Sequence, residues 1–460
     1  MPLKSLRPLA VLLALVFLAS NGAAQTAPEP EQLLNGLRIL FWEKPGSPDV
    51  LVKLRIHSGA AFDLAGKSGE MALLGDLLFP DAATTDFFSE MGGKLDIAVN
   101  YDSTTITMVG KAAQFDQIVE VLRNGLLATQ LTPEVINRIR DSRLKIIRET
   151  AISPSIVADR AIASRLFGDF PYGRPASGTP ADLARVERAD LMLARDRFLN
   201  SNNATLAIAG GIQKARALRT LRQLLGPWRK SEQIVPTSFR QPLPADTRAL
   251  ILNGPGTSTE IRLAVRGVAR SDADYYATAI LAKLIQSRWQ SLYPELANKP
   301  AFVRSETHVL PGILVMGAGL NAQSTPDALL TARKALESVA STIASPAEMD
   351  RARSEATSEL SGPFAKPESL PDPWLDAETF RLKEAQNAVI ALQAVTPADV
   401  HRAAGRLLTN PSISTVIVGD PLQLKPVLQG RISFEVLGEV ALPNTAPKPL
   451  VKPGTNAKPS

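Results

Sequence analysis

The sequence predicts an α+β fold built twice: two homologous domains, each a mainly antiparallel sheet packed with helices, closed on one another as a clam. Three observations predict it. Widely separated pieces recur at one offset: Lys53-Leu54-Arg55-Ile56 matches Arg262-Leu263-Ala264-Val265, Ala189-Asp190-Leu191 matches Ala398-Asp399-Val400, and Ile208-Ala209-Gly210 matches Ile417-Val418-Gly419, each 209 residues on. Pro133, Arg138 and Arg140 match Pro346, Arg351 and Arg353 at 213, a drift of four residues that loop changes absorb. Pro236, Pro242 and Pro244 mark a break between the copies. Finally, strand-like and helix-like runs follow one another without strict alternation, as in α+β layers.

In chain order, Met1–Ser20 carries Lys4 and Arg7 and then an apolar run, and Gly22-Ala23-Ala24 supplies small residues for cleavage. Residues 1–24 read as a secretory signal peptide, because the apolar run is too short to span a bilayer. Thr26–Glu31 reads as a leader. The first domain, 25–235, has an apolar strand at Leu51–Ile56, a helix from Gly69, and an alternating Val/Ile/Thr-rich hairpin at Lys94–Val109. Thr132-Pro133-Glu134 is a helix start, with Thr as cap and Pro at the first helical position. After the linker, 236–247, the second domain, 248–441, repeats that signal at Ser345-Pro346 and Thr396-Pro397. The tail, 442–460, is rich in Pro, Lys, Asn and Ala and is expected to be disordered.

The 460 residues, 45% hydrophobic, can fill two cores. Formal charge is +6, and +4 once Lys4 and Arg7 leave with the signal. Basic residues are interleaved with acidic ones and aromatics make up 5%, so nucleic acid is not an expected partner. No further segment approaches a membrane span. The absence of Cys excludes disulfides and a thiol nucleophile. No G-x-S-x-G is present, and Gly66-Lys67-Ser68 has Ala61 where a phosphate loop needs its first Gly.

Leu34-Asn35-Gly36-Leu37-Arg38-Ile39-Leu40, Ser58-Gly59 with Gly69 and Leu77-Leu78-Phe79, Phe170-Pro171-Tyr172-Gly173-Arg174-Pro175 with Gly178-Thr179, and Thr205–Gly210 stand in a characteristic order. In these motifs the chain resembles the pitrilysin/insulinase family of inverted zincins, in its mitochondrial-processing-peptidase-like bacterial branch. The resemblance runs from about Leu33 to Asp420.

The family's H-x-x-E-H motif has two His one turn apart as zinc ligands and a Glu between them as general base. The matching positions here are Ala72, Leu73, Leu74, Gly75 and Asp76. Ala72 has no donor and Gly75 no base. Glu149 falls near the family's distal Glu ligand and is a possible remnant. His57, His308 and His401 lie in separate segments without ligand spacing, and each reads as a solvated or locally hydrogen-bonded His. The family also carries an Arg and a Tyr seven apart in the second domain, placed to contact peptide. Here Glu295 and Phe302 stand in their places, so that pair is degenerate as well.

The resemblance implies one further surface, a sheet edge that captures peptides through backbone hydrogen bonds. It corresponds to Leu95, Asp96, Ile97, Ala98 and Val99, which depart from the family's GGxxNAxT pattern. A hairpin strand covered by its neighbours is the competing reading. The expected function is a non-catalytic homologue acting as a structural or peptide-binding subunit, periplasmic or secreted, for a catalytic family member with an intact zinc motif. Its ligands would be peptides, and no cofactor is expected. Two alternatives stand: an active metallopeptidase whose zinc site uses Asp76 and Glu149, and a free-standing peptide-binding or assembly factor. The substitutions Ala72→His, Gly75→Glu and Asp76→His would rebuild the motif on one helix face, with Glu149 to complete it.

Overall fold

The computed structural model describes residues 27–240, 246–254, 258–385, 387–409 and 411–437. The signal-like opening, part of the linker and the tail lie outside the described residues.

The first half runs β1 (Glu29–Gln32), β2 (Arg38–Glu43), β3 (Asp49–Ile56), α1 (Glu70–Leu77), α2 (Ala82–Glu90), β4 (Lys94–Val99), β5 (Thr104–Lys111) and α3 (Phe115–Leu127). It continues through α4 (Pro133–Thr150), α5 (Pro154–Phe167), α6 (Pro180–Leu183), α7 (Arg188–Phe198), β6 (Ala204–Gly210) and α8 (Lys214–Leu225). The second half runs β7 (Ala249–Asn253), β8 (Thr259–Arg266), α9 (Tyr275–Leu292), β9 (Ala301–Glu306), β10 (Ile313–Leu320), α10 (Thr325–Ser341) and α11 (Pro346–Ser361). It ends with α12 (Asp372–Thr379), α13 (Ala388–Ala394), α14 (Pro397–Leu408), β11 (Ser414–Gly419), α15 (Pro421–Leu428) and β12 (Phe434–Leu437). The helix starts read from Thr-Pro and Ser-Pro are present: Thr132 accepts from the Val135 amide, and Ser345 and Thr396 each close a capping box with Glu348 and Asp399.

Each half forms one six-stranded sheet, ordered β1-β2-β6-β3-β5-β4 and β12-β7-β11-β8-β10-β9. Most neighbours are antiparallel, and β2 with β6, β7 with β11, and β7 with β12 are parallel. The duplication is visible in register. Lys53 faces Ala207 in the first sheet, and Arg262 faces Val416 in the second, each residue 209 beyond its counterpart. Two strands depart from the sequence reading. The end of the leader and the residue after it, Glu29–Gln32, form a strand paired with β2, and β12 adds a strand beyond Asp420.

The strands are apolar on both faces because both faces are covered. In β2, Ile39 and Phe41 face one core, with helix residues such as Leu73, Leu122 and Leu221. Leu40 and Trp42 face the other way, against Leu375 of α12. The second sheet does the same: Ile261 and Leu263 pack among its own helices, whereas Ala264, Ile313 and Val315 pack on Ile162 and Leu166 of α5.

Thus each half lends a helix to the other half's sheet. The two exchanged helices carry matched ion pairs. Asp372 of α12 takes Lys53 Nζ at 2.5 Å, and Asp159 of α5 takes Arg262 Nε at 2.6 Å. Asp159 and Asp372 are themselves 213 residues apart, the second offset of the duplication. Arg262 is fully buried, and its remaining N–H groups reach Glu260 and Ser155. The clam is therefore closed by reciprocal exchange as well as by the linker. Phe239 of the linker is itself anchored, 5.7 Å from Phe62 and 6.0 Å from Phe170 between ring centres.

Candidate functional site

Helix α1 begins where the chain turns sharply. Gly69 has φ +90°, and a Cβ there would lie 2.7 Å from Gly178 Cα, so only Gly fits. The helix N-terminus is held by Asp63, whose carboxylate accepts from the amides of Gly69 at 2.6 Å and Met71 at 2.9 Å. Burial outweighs these bonds and pushes the Asp63 carboxyl up to about 7. Glu70, also buried, accepts from the Leu64 amide at 3.1 Å, and burial raises it as well.

The motif positions follow on this helix. Ala72 is buried and offers a methyl group. Asp76 is not free: Arg143 of α4 places Nε 2.7 Å from its carboxylate and donates Nη2 to the Ala72 carbonyl at 3.0 Å. A guanidinium therefore clamps the segment where the resemblance would place a metal. Gly75 lies under the edge strand, and a Cβ built on it would sit 3.0 Å from Val99 Cγ2 and 3.4 Å from Ile97 Cγ2. Glu149, near the end of α4, is exposed. Among the described residues no three His, Cys, Asp or Glu side chains stand close enough to hold a metal ion. The residues at this site do not fit zinc: one donor position is a methyl, the base position is packed shut, and the remaining carboxylate is matched by a cation.

Strand β4 ends its sheet and pairs only with β5 among the described residues. Leu95, Ile97 and Val99 turn inward and pack against the first core, while Lys94, Asp96 and Ala98 are exposed. No further strand pairs with β4 among the described residues, and Lys94 meets Glu368 of the second half at 2.5 Å. In the second half, Phe302 lies on β9, the matching edge, with the Arg304 and Arg262 guanidinium carbons 4.5 and 5.0 Å from its ring centre. Glu295 sits in the turn before β9, exposed, and accepts from the Tyr293 hydroxyl at 2.9 Å. Neither supplies what an Arg/Tyr pair would.

The Phe170–Pro175 segment lies where the halves meet. Asp102, in the turn between β4 and β5, is buried and accepts from His308 Nδ1 at 2.9 Å and the Val309 amide at 3.0 Å. The Tyr172 hydroxyl accepts from the Leu310 amide at 3.2 Å, and the Tyr101 hydroxyl donates to the Arg174 carbonyl at 2.7 Å. Burial raises both phenols, Tyr101 to about 12. His57 joins the halves elsewhere, with Nδ1 2.9 Å from the Thr379 hydroxyl and Nε2 3.0 Å from Thr205. Burial, with Arg55 and Arg38 nearby, lowers it to about 3. His57 and His308 are thus neither solvated nor locally bonded, which corrects the sequence reading. Their partners are distant in sequence and carried no signal there. Arg143 was likewise missed, since one Arg on a polar helix face looks like any other.

Two family models match the chain: "Insulinase (Peptidase family M16)" over residues 38–180 and "Peptidase M16 inactive domain" over residues 185–356. Among curated proteins the chain is similar to cytochrome b-c1 complex subunit 1 of Homo sapiens, 25% identical over 47% of each chain. It is also similar to the mitochondrial-processing peptidase subunit beta of Saccharomyces cerevisiae, 24% identical over 59% of this chain and 60% of that one. These matches span about half the length of the relatives. In fold it is similar to a protease from Helicobacter pylori, with TM-score 0.76, 16% identity, and coverage of 85% of this chain and 100% of that one. A peptidase M16 inactive domain from Pseudomonas fluorescens gives TM-score 0.74 and 17% identity over 85% and 98%. Among the described residues no helix is long and apolar enough to cross a membrane.

Proposed function

The chain belongs to the insulinase family, peptidase family M16, and we propose that within it the chain is a non-catalytic, peptide-binding subunit for a zinc-bearing partner. One observation carries the reading: Arg143 occupies the ground between Asp76 and the Ala72 carbonyl, with Gly75 packed under Val99. That arrangement has its own bonds and its own packing, which supports the non-catalytic reading.

What supports binding is the place of β4 at the end of its sheet, paired only with β5 among the described residues, where an added strand could pair. What supports a partner is that two relatives are, by name, subunits of larger assemblies. The signal-like opening supports a periplasmic or secreted setting. A stable subunit contact buries roughly 1,000 Å² or more, which domains of this size can supply.

The test is co-purification of the mature chain with an H-x-x-E-H-bearing protein of the same compartment, followed by peptide cleavage with and without this chain. A stable complex and altered cleavage are expected. No complex at micromolar concentration, with unchanged cleavage, would remove the subunit role.

A further inference from the structure

The surface at the β1 end of the first sheet carries more cations than its ion pairs use. Residues 211–245 hold seven Lys and Arg and a single acid, Glu232, against the interleaving of charge along the rest of the chain. Four of the seven lie on α8: Lys214, Arg216, Arg219 and Arg222. The same helix turns Ala217, Leu221 and Leu225 into the core. The counterpart helix in the second half, α15, buries Leu424 and Leu428 in the same way but carries one cation, Lys425. The packing of this helix therefore does not call for its charges.

Lys214 pairs with Glu29 and Glu31 at 2.8 and 2.7 Å, and Arg216 with Asp116 at 2.8 Å. The side chains of Arg219, Arg222, Arg229 and Lys230 are exposed and have no ion-pair or hydrogen-bond partner among the described residues. Arg219 and Arg222 are one turn apart on α8, and Arg229 and Lys230 follow its C-terminal end. Glu232, and Glu120 of the adjoining α3, are exposed and pair with none of them. Trp228, the aromatic residue of this stretch, is buried and offers no face on which a nucleic-acid base could stack.

An apolar group stands at the same place. The loop between β1 and β2 is pinned by buried Leu33 and Leu37 and closed by the Gly36 amide, which donates to the Leu33 carbonyl at 2.9 Å. Asn35 fastens the loop to the end of α8, donating Nδ2 to the carbonyls of Leu225 at 2.8 Å and Trp228 at 3.1 Å. Between these anchors Leu34 is fully exposed. Lys230 adjoins the loop, its Cδ 3.9 Å from where a Cβ on Gly36 would lie. An apolar side chain held outward beside unpaired cations matches a membrane surface, where anionic headgroups overlie an apolar layer. An acidic protein would answer the cations but gives no use to a lone Leu fixed on a turn.

We propose that this face binds the surface of an anionic phospholipid membrane, with Arg219, Arg222, Arg229 and Lys230 against the headgroups and Leu34 inserted between them. Strand β4 lies at the other end of the same sheet, so a chain held in this way keeps that edge away from the lipid. The proposal does not depend on the partner-subunit reading.

The experiment is cosedimentation of the purified mature chain with phosphatidylcholine vesicles, with and without phosphatidylglycerol. Binding should require phosphatidylglycerol and weaken as salt is raised, since the screening length falls from ~10 Å at 0.1 M to ~3 Å at 1 M. A cation close to an anionic surface is worth about fivefold in affinity. Replacing Arg219, Arg222, Arg229 and Lys230 together by Gln should therefore weaken binding by about a hundredfold or more. Leu34→Ser should weaken it about tenfold. As a control, Lys299, Lys334, Arg351 and Lys383, exposed cations of the second half, are replaced together by Gln. That variant loses the same net charge and should bind within about fivefold of the original. Both quadruple variants break no ion pair and should unfold at the original temperature. Equal losses in the two would reduce the effect to net charge and overturn the proposal. Equal binding with and without phosphatidylglycerol, no binding at low salt, or an unaffected first variant would each overturn it as well. A chain that ignores both vesicles but is retained by polyglutamate would assign the face to an acidic protein instead. None of these outcomes bears on co-purification with a catalytic partner, so the two ideas fail separately.

Discussion

Replacing Gly75 by Ala probes whether the base position of the motif is packed shut. In a helix interior Ala is favoured over Gly by ~1 kcal/mol, so an open site predicts stabilisation. Here the new methyl would lie 3.0 Å from Val99 Cγ2 and 3.4 Å from Ile97 Cγ2. Forcing a methyl into a filled core costs ~1–3 kcal/mol. Gly75→Ala should therefore range from neutral to ~2 kcal/mol destabilising. In a Val99→Ala background the closest contact is gone, and the same change should stabilise by ~1 kcal/mol. The coupling in this double-mutant cycle should be ~1–3 kcal/mol, above the ~0.5 kcal/mol scatter of independent sites. Urea unfolding of the four proteins measures it. If Gly75→Ala stabilises equally in both backgrounds, the packing argument is wrong. The same argument revises the rescue expected from sequence. Ala72→His, Gly75→Glu and Asp76→His together should take up no stoichiometric zinc until Val99 is reduced to Ala and Arg143 is replaced by a neutral residue.

Further outcomes follow from the buried charges. Asp63 stands at about 7 against an ordinary 3.8, so its contribution is full at low pH and is lost as pH rises from about 4 through 7. At 1.36 kcal/mol per unit this amounts to at most about 4 kcal/mol, and Asp63→Asn should flatten that part of the stability–pH curve. His57 behaves in the opposite sense: lowered from 6.5 to about 3, it contributes above 6.5 and is lost as pH falls toward 3. His57→Asn should remove that acid-side loss, read by thermal unfolding between pH 3 and 7. Asp372→Asn leaves Lys53, which is 6% exposed, without its carboxylate. Breaking such a pair costs ~3–5 kcal/mol. Because the helices are exchanged, calorimetry should show one transition moving as a whole; two transitions, with only one displaced, would contradict the exchange.

Much of the fold could be read from the chain because duplication repeats the same physical constraints. Lys53 and Arg262 align in sequence and in register, and the apolar runs of β2 and β3 announce sheets buried on both faces. The exchange of α5 and α12 could not be read, since an amphipathic helix does not state which sheet it covers. Strand β1 was missed because Glu29-Pro30-Glu31-Gln32 has no apolar alternation; it joins through its backbone and through the ion pairs of Glu29 and Glu31 with Lys214. At the site, the loss of donors at Ala72 and Gly75 was plain in the sequence. What replaced them was not, because Arg143 and Val99 act through tertiary contacts that leave no local pattern.

The central claim, that the motif helix now carries a packed ion pair in place of a metal site, is tested most directly by elemental analysis of the purified mature chain. The account predicts well under one zinc per chain and no peptide hydrolysis that a chelator removes. About one tightly held zinc per chain, with chelator-sensitive cleavage, would contradict it.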